Sequence, residues 1–372
     1  MSERILITGG AGFIGAHLAG ELVEAGYEVR ILDSLVPQVH GDGATWPEYL
    51  PEAVECVRGD VRDRKTVAAC VGDVDAVFHL AAAVGVGQSM YELEHYMSTN
   101  CTGTAVLLEA LIEEPVDRLV VASSMSLYGE GLYRDADGGV VADAERSREQ
   151  LEAGHWEPTD RQGRPLEPIP TPEDKEADLA SIYALSKYDQ EQMALMMGRV
   201  YEIPTVALRF FNVYGPYQAL SNPYTGVLAI FASRILNDQA PLIFEDGRQR
   251  RDFVHVSDVA RACRLALEGD EAAGQVFNIG SGEAYTVREI AEVLTDAAGR
   301  PDLEPEITGD YRVGDIRHCF ADIDRARRVL DYAPSVELET GVEQFTEWLR
   351  GQRADDRVED AMRELQGRGL TV

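Results

Sequence analysis

Tyr183 and Lys187 stand four residues apart in Tyr183-Ala-Leu-Ser-Lys187, a spacing that puts both side chains on one face of a helix. A phenol with a pKa of about 10 is a poor base at neutral pH, but an ammonium group or a positive nicotinamide ring beside it favours the phenolate and lowers that value. Such a pair can take the proton of an alcohol as its carbon is oxidised. The plain alternative, a charged pair decorating an exposed helix, loses ground to what precedes it in the chain. Thr8-Gly9-Gly10-Ala11-Gly12-Phe13-Ile14-Gly15 follows an apolar run and opens a helical pattern, with Gly9, Gly12 and Gly15 at intervals of three. Bare glycines let a chain turn tightly and approach a pyrophosphate, which then sits on the helix N-terminus among amide donors.

Asp33 ends the next strand, where a carboxylate can accept bonds from both ribose hydroxyls and repel a 2′-phosphate. The expected cofactor is therefore NAD rather than NADP. Gly59-Asp60-Val61 closes a third strand and His79-Leu80-Ala81-Ala82 a fourth. This order places Asp60 near the adenine, with Val61, Leu80, Ala81 and Ala82 near the cofactor.

The elements that must hold these groups alternate. ILITGG, EVRILD, VECVRGD, DAVFHLAA, RLVVASS and TVALRFF are short β-branched runs separated by helical patterns, which implies an α/β chain with a Rossmann-type, doubly wound parallel sheet. Residues 1–210 read as the NAD-binding domain and 211–350 as a smaller substrate-binding domain, interleaved with returning sheet elements near 254–283. The stretch 130–178 is rich in Asp, Glu, Pro and Gly and reads as a surface insertion, more a solvated excursion than a lid or subunit contact. Within it, Asp143 caps a short helix that ends at Gly154. Residues 351–372 read as a polar tail.

Acidic residues number 65 against 34 basic, a net charge of -31, and lysine occurs only at Lys65, Lys175 and Lys187. Such a surface excludes nucleic acid and anionic membranes as partners, and it requires arginines to cluster wherever an anionic substrate binds. The five cysteines have neither disulfide nor metal-ligand spacing, so no metal is expected. The N-terminal residues lack a signal-peptide layout and no apolar run could span a bilayer, so the expected location is the cytoplasm.

Ser123-Ser124-Met125-Ser126-Leu127-Tyr128-Gly129, the Tyr/Lys pair and RFFNVYGP at 209–216 resemble the extended short-chain dehydrogenase family of nucleotide-sugar epimerases and dehydratases. The likeness runs from Ile5 to about Trp348. It implies that Ser124 bonds the sugar oxygen beside Ser126, that Asn100 supports the active-site helix at the cofactor, and that Asn212, Arg251 and Arg312 reach the phosphates. Asp315 would meet a ribose hydroxyl. Where dehydratases of the family carry an Asp-Glu pair and decarboxylases keep the Glu, this chain has Met125 and Ser126; where 3,5-epimerases carry a cysteine, it has Ser126. Neither side chain is a carboxyl acid or base. What the resemblance leaves is epimerisation at C4 through a 4-keto sugar. AAAVGVGQSMYE, ASSMSLYGEGLYRDADG and QALSNPYTGVLAIFASR look like the dTDP-L-rhamnose 4-epimerase branch, with UDP-glucose and UDP-glucuronate 4-epimerases as alternatives. A non-catalytic NAD sensor and a 4-keto-sugar reductase are more distant ones. A homodimer is the expected assembly.

Overall fold

The computed structural model describes residues 3–224, 226–312 and 314–371. Seven strands, β1 (Arg4–Thr8), β2 (Glu28–Asp33), β3 (Glu55–Arg58), β4 (Ala76–His79), β5 (Arg118–Ser124), β6 (Thr205–Phe210) and β7 (Val276–Ile279), form one sheet in the order β7-β6-β5-β4-β1-β2-β3. Every neighbouring pair is parallel. Parallel strands need crossovers, and these cover both faces, which is why the strands read as near-continuous apolar runs.

One face packs against helices α1 (Phe13–Glu24) and α6 (Val256–Glu268) through Leu18, Ala19, Leu22, Val259, Cys263 and Ala266. The other packs against α2 (Arg64–Val71), α3 (Gly103–Glu113) and α4 (Ile182–Tyr201) through Val67, Val71, Val106, Leu107, Leu111, Ala194 and Leu195. Ser181 caps α4 by accepting from Ala184 N at 3.1 Å, and so fixes where the helix carrying Tyr183 begins.

A separate core joins α5 (Val227–Leu236), α7 (Val287–Ala297) and α8 (Leu338–Leu349). The tail after Gly351 folds: α9 (Val358–Gly367) buries Val358, Ala361 and Leu365, Leu365 lying against Gly87. Among the described residues no helix is long and apolar enough to cross a membrane. All five cysteines are free thiols.

The stretch 130–178 departs from the expected solvated excursion. Leu132–Arg134 pairs antiparallel with both Val140–Val141 and Glu167–Ile169, and Tyr133 at the centre is buried. Its short helix, Arg148–Glu152, is capped by Ser147, which accepts from Gln150 N at 3.2 Å, and not by Asp143. Ser147 stands directly before the first helical residue, where a side-chain oxygen can reach a free amide; Gly154 follows with φ +70°.

Candidate active site

Strand order reverses beside β1, which has β2 on one side and β4 on the other, and the crevice at the carboxyl ends of these strands is where open α/β sheets bind ligands. Gly9 has φ +72°, and a Cβ there would lie 2.8 Å from Ala81 N; one on Gly15 would lie 2.4 Å from Gly9 O. No side chain caps α1, so its first amides remain available for an anion. Asp33 is buried, and its carboxylate accepts from Ala11 N at 3.0 Å and Leu35 N at 2.9 Å. Two amides thus orient it at the lip of the glycine turn, with lone pairs to spare for ribose hydroxyls. Glycine cradle, uncapped helix and oriented carboxylate together fit NAD.

Around this cradle Phe13 and Ile14 open α1, and Leu80, Ala81 and Ala82 continue β4, Ala81 contacting Gly9. Val61 is buried against Gly103. The Asp60 carboxylate is held by Arg62 N at 2.8 Å, Nε at 2.9 Å and Nη2 at 2.6 Å. Arg62 lies two residues on and satisfies it locally.

Ser124 ends β5, and the turn Met125–Tyr128 follows it. Ser126 Oγ donates to Ser124 Oγ at 2.9 Å, and Ser124 in turn hydrogen-bonds the Tyr183 hydroxyl. Burial pushes the Tyr183 phenol above its ordinary pKa and the Ser124 bond opposes this. The protein alone therefore does not supply the lowering expected from the Tyr/Lys spacing. Lys187, one turn on, is buried, and loss of water brings its ammonium down to about 7 despite Glu191 and Cys101. Asn100 sits in a widened turn, Met97–Thr102, that runs into α3. Its Oδ1 accepts from Ala83 N at 2.7 Å and its Nδ2 donates to Ser186 Oγ at 2.8 Å, tying the loop after β4 to α4.

The substrate side is assembled differently. Asn212 lies on a short strand paired with Phe253–His255, and its Oδ1 is buried without a partner. Arg312 stacks over Phe244 at 4.4 Å and its Nε, like Asn212 Oδ1, is buried with no partner among the described residues; both atoms fit a polar ligand that satisfies them. Arg251 departs from the free fork expected of it: Nη1 donates to the carbonyls of Arg250 and Arg317 at 2.9 Å, and Nη2 to Ile316 O. Those carbonyls occupy donors that a phosphate would use. Asp315 accepts from Ile316 N at 3.0 Å and stands 4.0 Å from Arg251.

Residues that the sequence reading missed bind this segment together. Arg317, with no exposure, bonds Glu157 at 2.5 Å, Glu245 at 2.8 Å and Asp246 at 2.7 Å. Arg146 reaches Glu245 at 2.6 Å and Asp315 O at 2.7 Å. His318 pairs with Glu157 at 2.8 Å, and Glu130 accepts from Arg317 N and His318 N at 2.6 and 3.1 Å. The arginines do cluster, but carboxylates of the insertion and of the 245–246 turn offset them, so the pocket is less positive than the acidic surface demanded. No spacing rule could have paired groups up to 188 residues apart.

Residues 5–280 match the family described as the NAD dependent epimerase/dehydratase family. A curated relative, dTDP-L-rhamnose 4-epimerase of Burkholderia thailandensis, is 35% identical over 352 residues, covering 93% of this chain and 95% of the relative. UDP-glucose 4-epimerase of Thermotoga maritima, solved with UDP-glucose, superposes with a TM-score of 0.76 at 32% identity over 93% of this chain and 98% of that one. UDP-glucuronic acid 4-epimerase of Bacillus cereus, solved with UDP-glucuronic acid and NAD, gives 0.73 at 28% identity over 93% and 99%. With the family match spanning residues 5–280 and a 35% identical relative covered almost end to end, this chain belongs to the NAD-dependent epimerase/dehydratase family and is an NAD-dependent enzyme acting on nucleotide sugars.

Proposed function

We propose that the protein inverts C4 of a nucleotide-activated sugar, and that the substrate is dTDP-L-rhamnose, in exchange with dTDP-6-deoxy-L-talose. The observation that carries the reading is the chain Ser126→Ser124→Tyr183 in a turn whose neighbouring position holds Met125 and no carboxyl group. The first turn of α1 receives the pyrophosphate of NAD, and Asp33 receives its adenosine ribose. Bound there, NAD supplies the acceptor for a hydride from C4 and the donor for its return.

Tyr183 Oη takes the 4-hydroxyl proton, directly or through Ser124 Oγ, and gives it back after the sugar has presented its other face. Lys187, on the same face of α4, favours the phenolate against the burial that disfavours it. Asn212 and Arg312 turn their unpartnered atoms to the nucleotide-sugar phosphates, with Arg251 and Asp315 bracing the loop that carries Arg312. Elimination of water from C6 or loss of carbon dioxide requires an acid or base beside Ser124, and Met125 and Ser126 supply neither.

The 35% identical relative supports dTDP-L-rhamnose. The solved UDP-sugar epimerases favour the second reading, a UDP-glucose or UDP-glucuronate 4-epimerase. We place the enzyme in the cytoplasm as a homodimer, in keeping with Met196, Val200 and Tyr201, which leave an apolar strip exposed on α4. A panel of dTDP-, UDP- and GDP-sugars followed by NMR at C4 decides among these. Inversion of dTDP-L-rhamnose is expected. Faster inversion of a UDP-sugar replaces the substrate, and turnover that consumes NADH stoichiometrically replaces the reaction by a reductase.

A further inference from the structure

Lys187 Nζ donates to Gln190 Oε1 at 2.7 Å, and both side chains are buried. Gln190 lies three residues after Lys187 on α4. Its other end is fixed: Nε2 donates to Thr104 Oγ1 at 2.8 Å, at the start of α3. Thr104 sends its own hydroxyl proton to Asn100 O at 2.6 Å, so its lone pairs face Gln190 and, at 2.8 Å, His79 Nε2. His79 is held from behind by Thr8 Oγ1 at 2.8 Å from Nδ1, and burial lowers its pKa to about 3, so it stays neutral.

This pattern leaves one orientation for the carboxamide. Flipped, it would aim its NH2 at an ammonium and its oxygen at the lone pairs of Thr104, two repulsions between buried groups. The other groups that act on Lys187 do not take the place of that acceptor. Glu191 is committed to Arg209 at 2.7 and 2.9 Å and to Ser123 Oγ at 2.6 Å. Cys101, whose thiol burial pushes up to about 12, points to Asp189 at 3.6 Å, and Tyr183 faces Ser124.

We propose that Gln190 is the positioning residue of the active site, its carboxamide clamped by Thr104 so that its oxygen holds the Lys187 ammonium charged and in place one turn from Tyr183. The inference rests on reading Tyr183 and Lys187 as the reacting pair, and its test is independent of any sugar. Because the chain has lysine only at Lys65, Lys175 and Lys187, protein grown with 13Cε-lysine gives three side-chain signals whose titration NMR follows in the NAD-loaded enzyme.

Removing the acceptor destabilises the charged form, so in Gln190→Leu Lys187 should titrate lower by about one unit or more. Gln190→Glu, nearly the same shape, places a carboxylate on Nζ and should raise it, with Lys65 and Lys175 unmoved in both. In the epimerase assay both variants weaken the positive field on the phenol, so the acidic limb of kcat moves to higher pH. If Gln190→Leu perturbs the fold, which Lys65 and Lys175 would reveal, the isosteric Glu variant decides. An unchanged Lys187 titration and an unchanged kcat limb in folded variants, with only the melting temperature lowered, would overturn the proposal. A native enzyme that inverts no sugar would sink the epimerase reading and leave the lysine result standing.

Discussion

The two walls of the cleft are held in opposite ways. On the cofactor wall, around β1, β4 and α4, buried polar groups are mostly neutral: Thr8, His79, Thr104, Gln190 and Asn100 satisfy one another by hydrogen bonds, and glycines provide close approach. On the substrate wall, Arg146, Arg317, Glu130, Glu157, Glu245 and Asp246 form an ionic network that stitches the insertion to the 311–318 segment. A neutral network keeps a fixed field around a proton-transfer pair. An ionic one concentrates its energy in single residues, because removing one member strands charges that burial has stripped of water.

That contrast predicts where the largest loss of stability lies. Arg317→Met leaves the buried Glu245 with only Arg146 to offset it, and breaking a buried pair in this way costs about 3–5 kcal/mol. Denaturant melts should register it, and the KM for the nucleotide sugar should rise because Arg312 and Asp315 lie on the loosened segment. A loss below about 1 kcal/mol, the range of exposed pairs, would erase the distinction between the walls.

Tyr183→Phe should do the reverse, leaving the melting temperature and NAD content close to native while kcat falls by about 100-fold or more. Activity near the native level would remove Tyr183 from its role. Gly15→Ala sharpens the cofactor side further, since the added Cβ would meet Gly9 O at 2.4 Å and Gly10 Cα at 2.7 Å. Crowding of this kind costs about 1–3 kcal/mol. The purified variant should carry less NAD than the native protein, as measured by absorbance after heat release; full occupancy would mean that the cradle is slacker than its contacts.

The same contrast explains what could be read from the residues. The cofactor wall follows from local order: the glycine turn opens α1, Asp33 ends β2, and the Tyr/Lys pair lies on α4, all within elements whose period is visible in the chain. The returning elements expected near 254–283 are the helix Val256–Glu268 and the strand Val276–Ile279. The substrate wall depends on pairings between 130–157, 245–251 and 311–318, which no local pattern encodes. That is why a stretch dense in Asp, Glu and Pro read as solvated although two of its acids, Glu130 and Glu157, pair with buried arginines. The resemblance implied that Arg251 reaches the phosphates, but its engagement with three carbonyls required the tertiary fold. Gln190 escaped notice because a glutamine on a helix carries no signal until its neighbours are known.

In the proposed reaction a hydride leaves C4 and returns to it, Tyr183 handles the proton, and Met125 and Ser126 offer no acid for elimination. Incubation with dTDP-L-rhamnose in heavy water tests it directly by NMR and mass spectrometry. The expected product is a C4 epimer of unchanged mass, with no carbon-bound deuterium and no lasting NADH absorbance. A product lighter by one water, or deuterium on the ring, would contradict it.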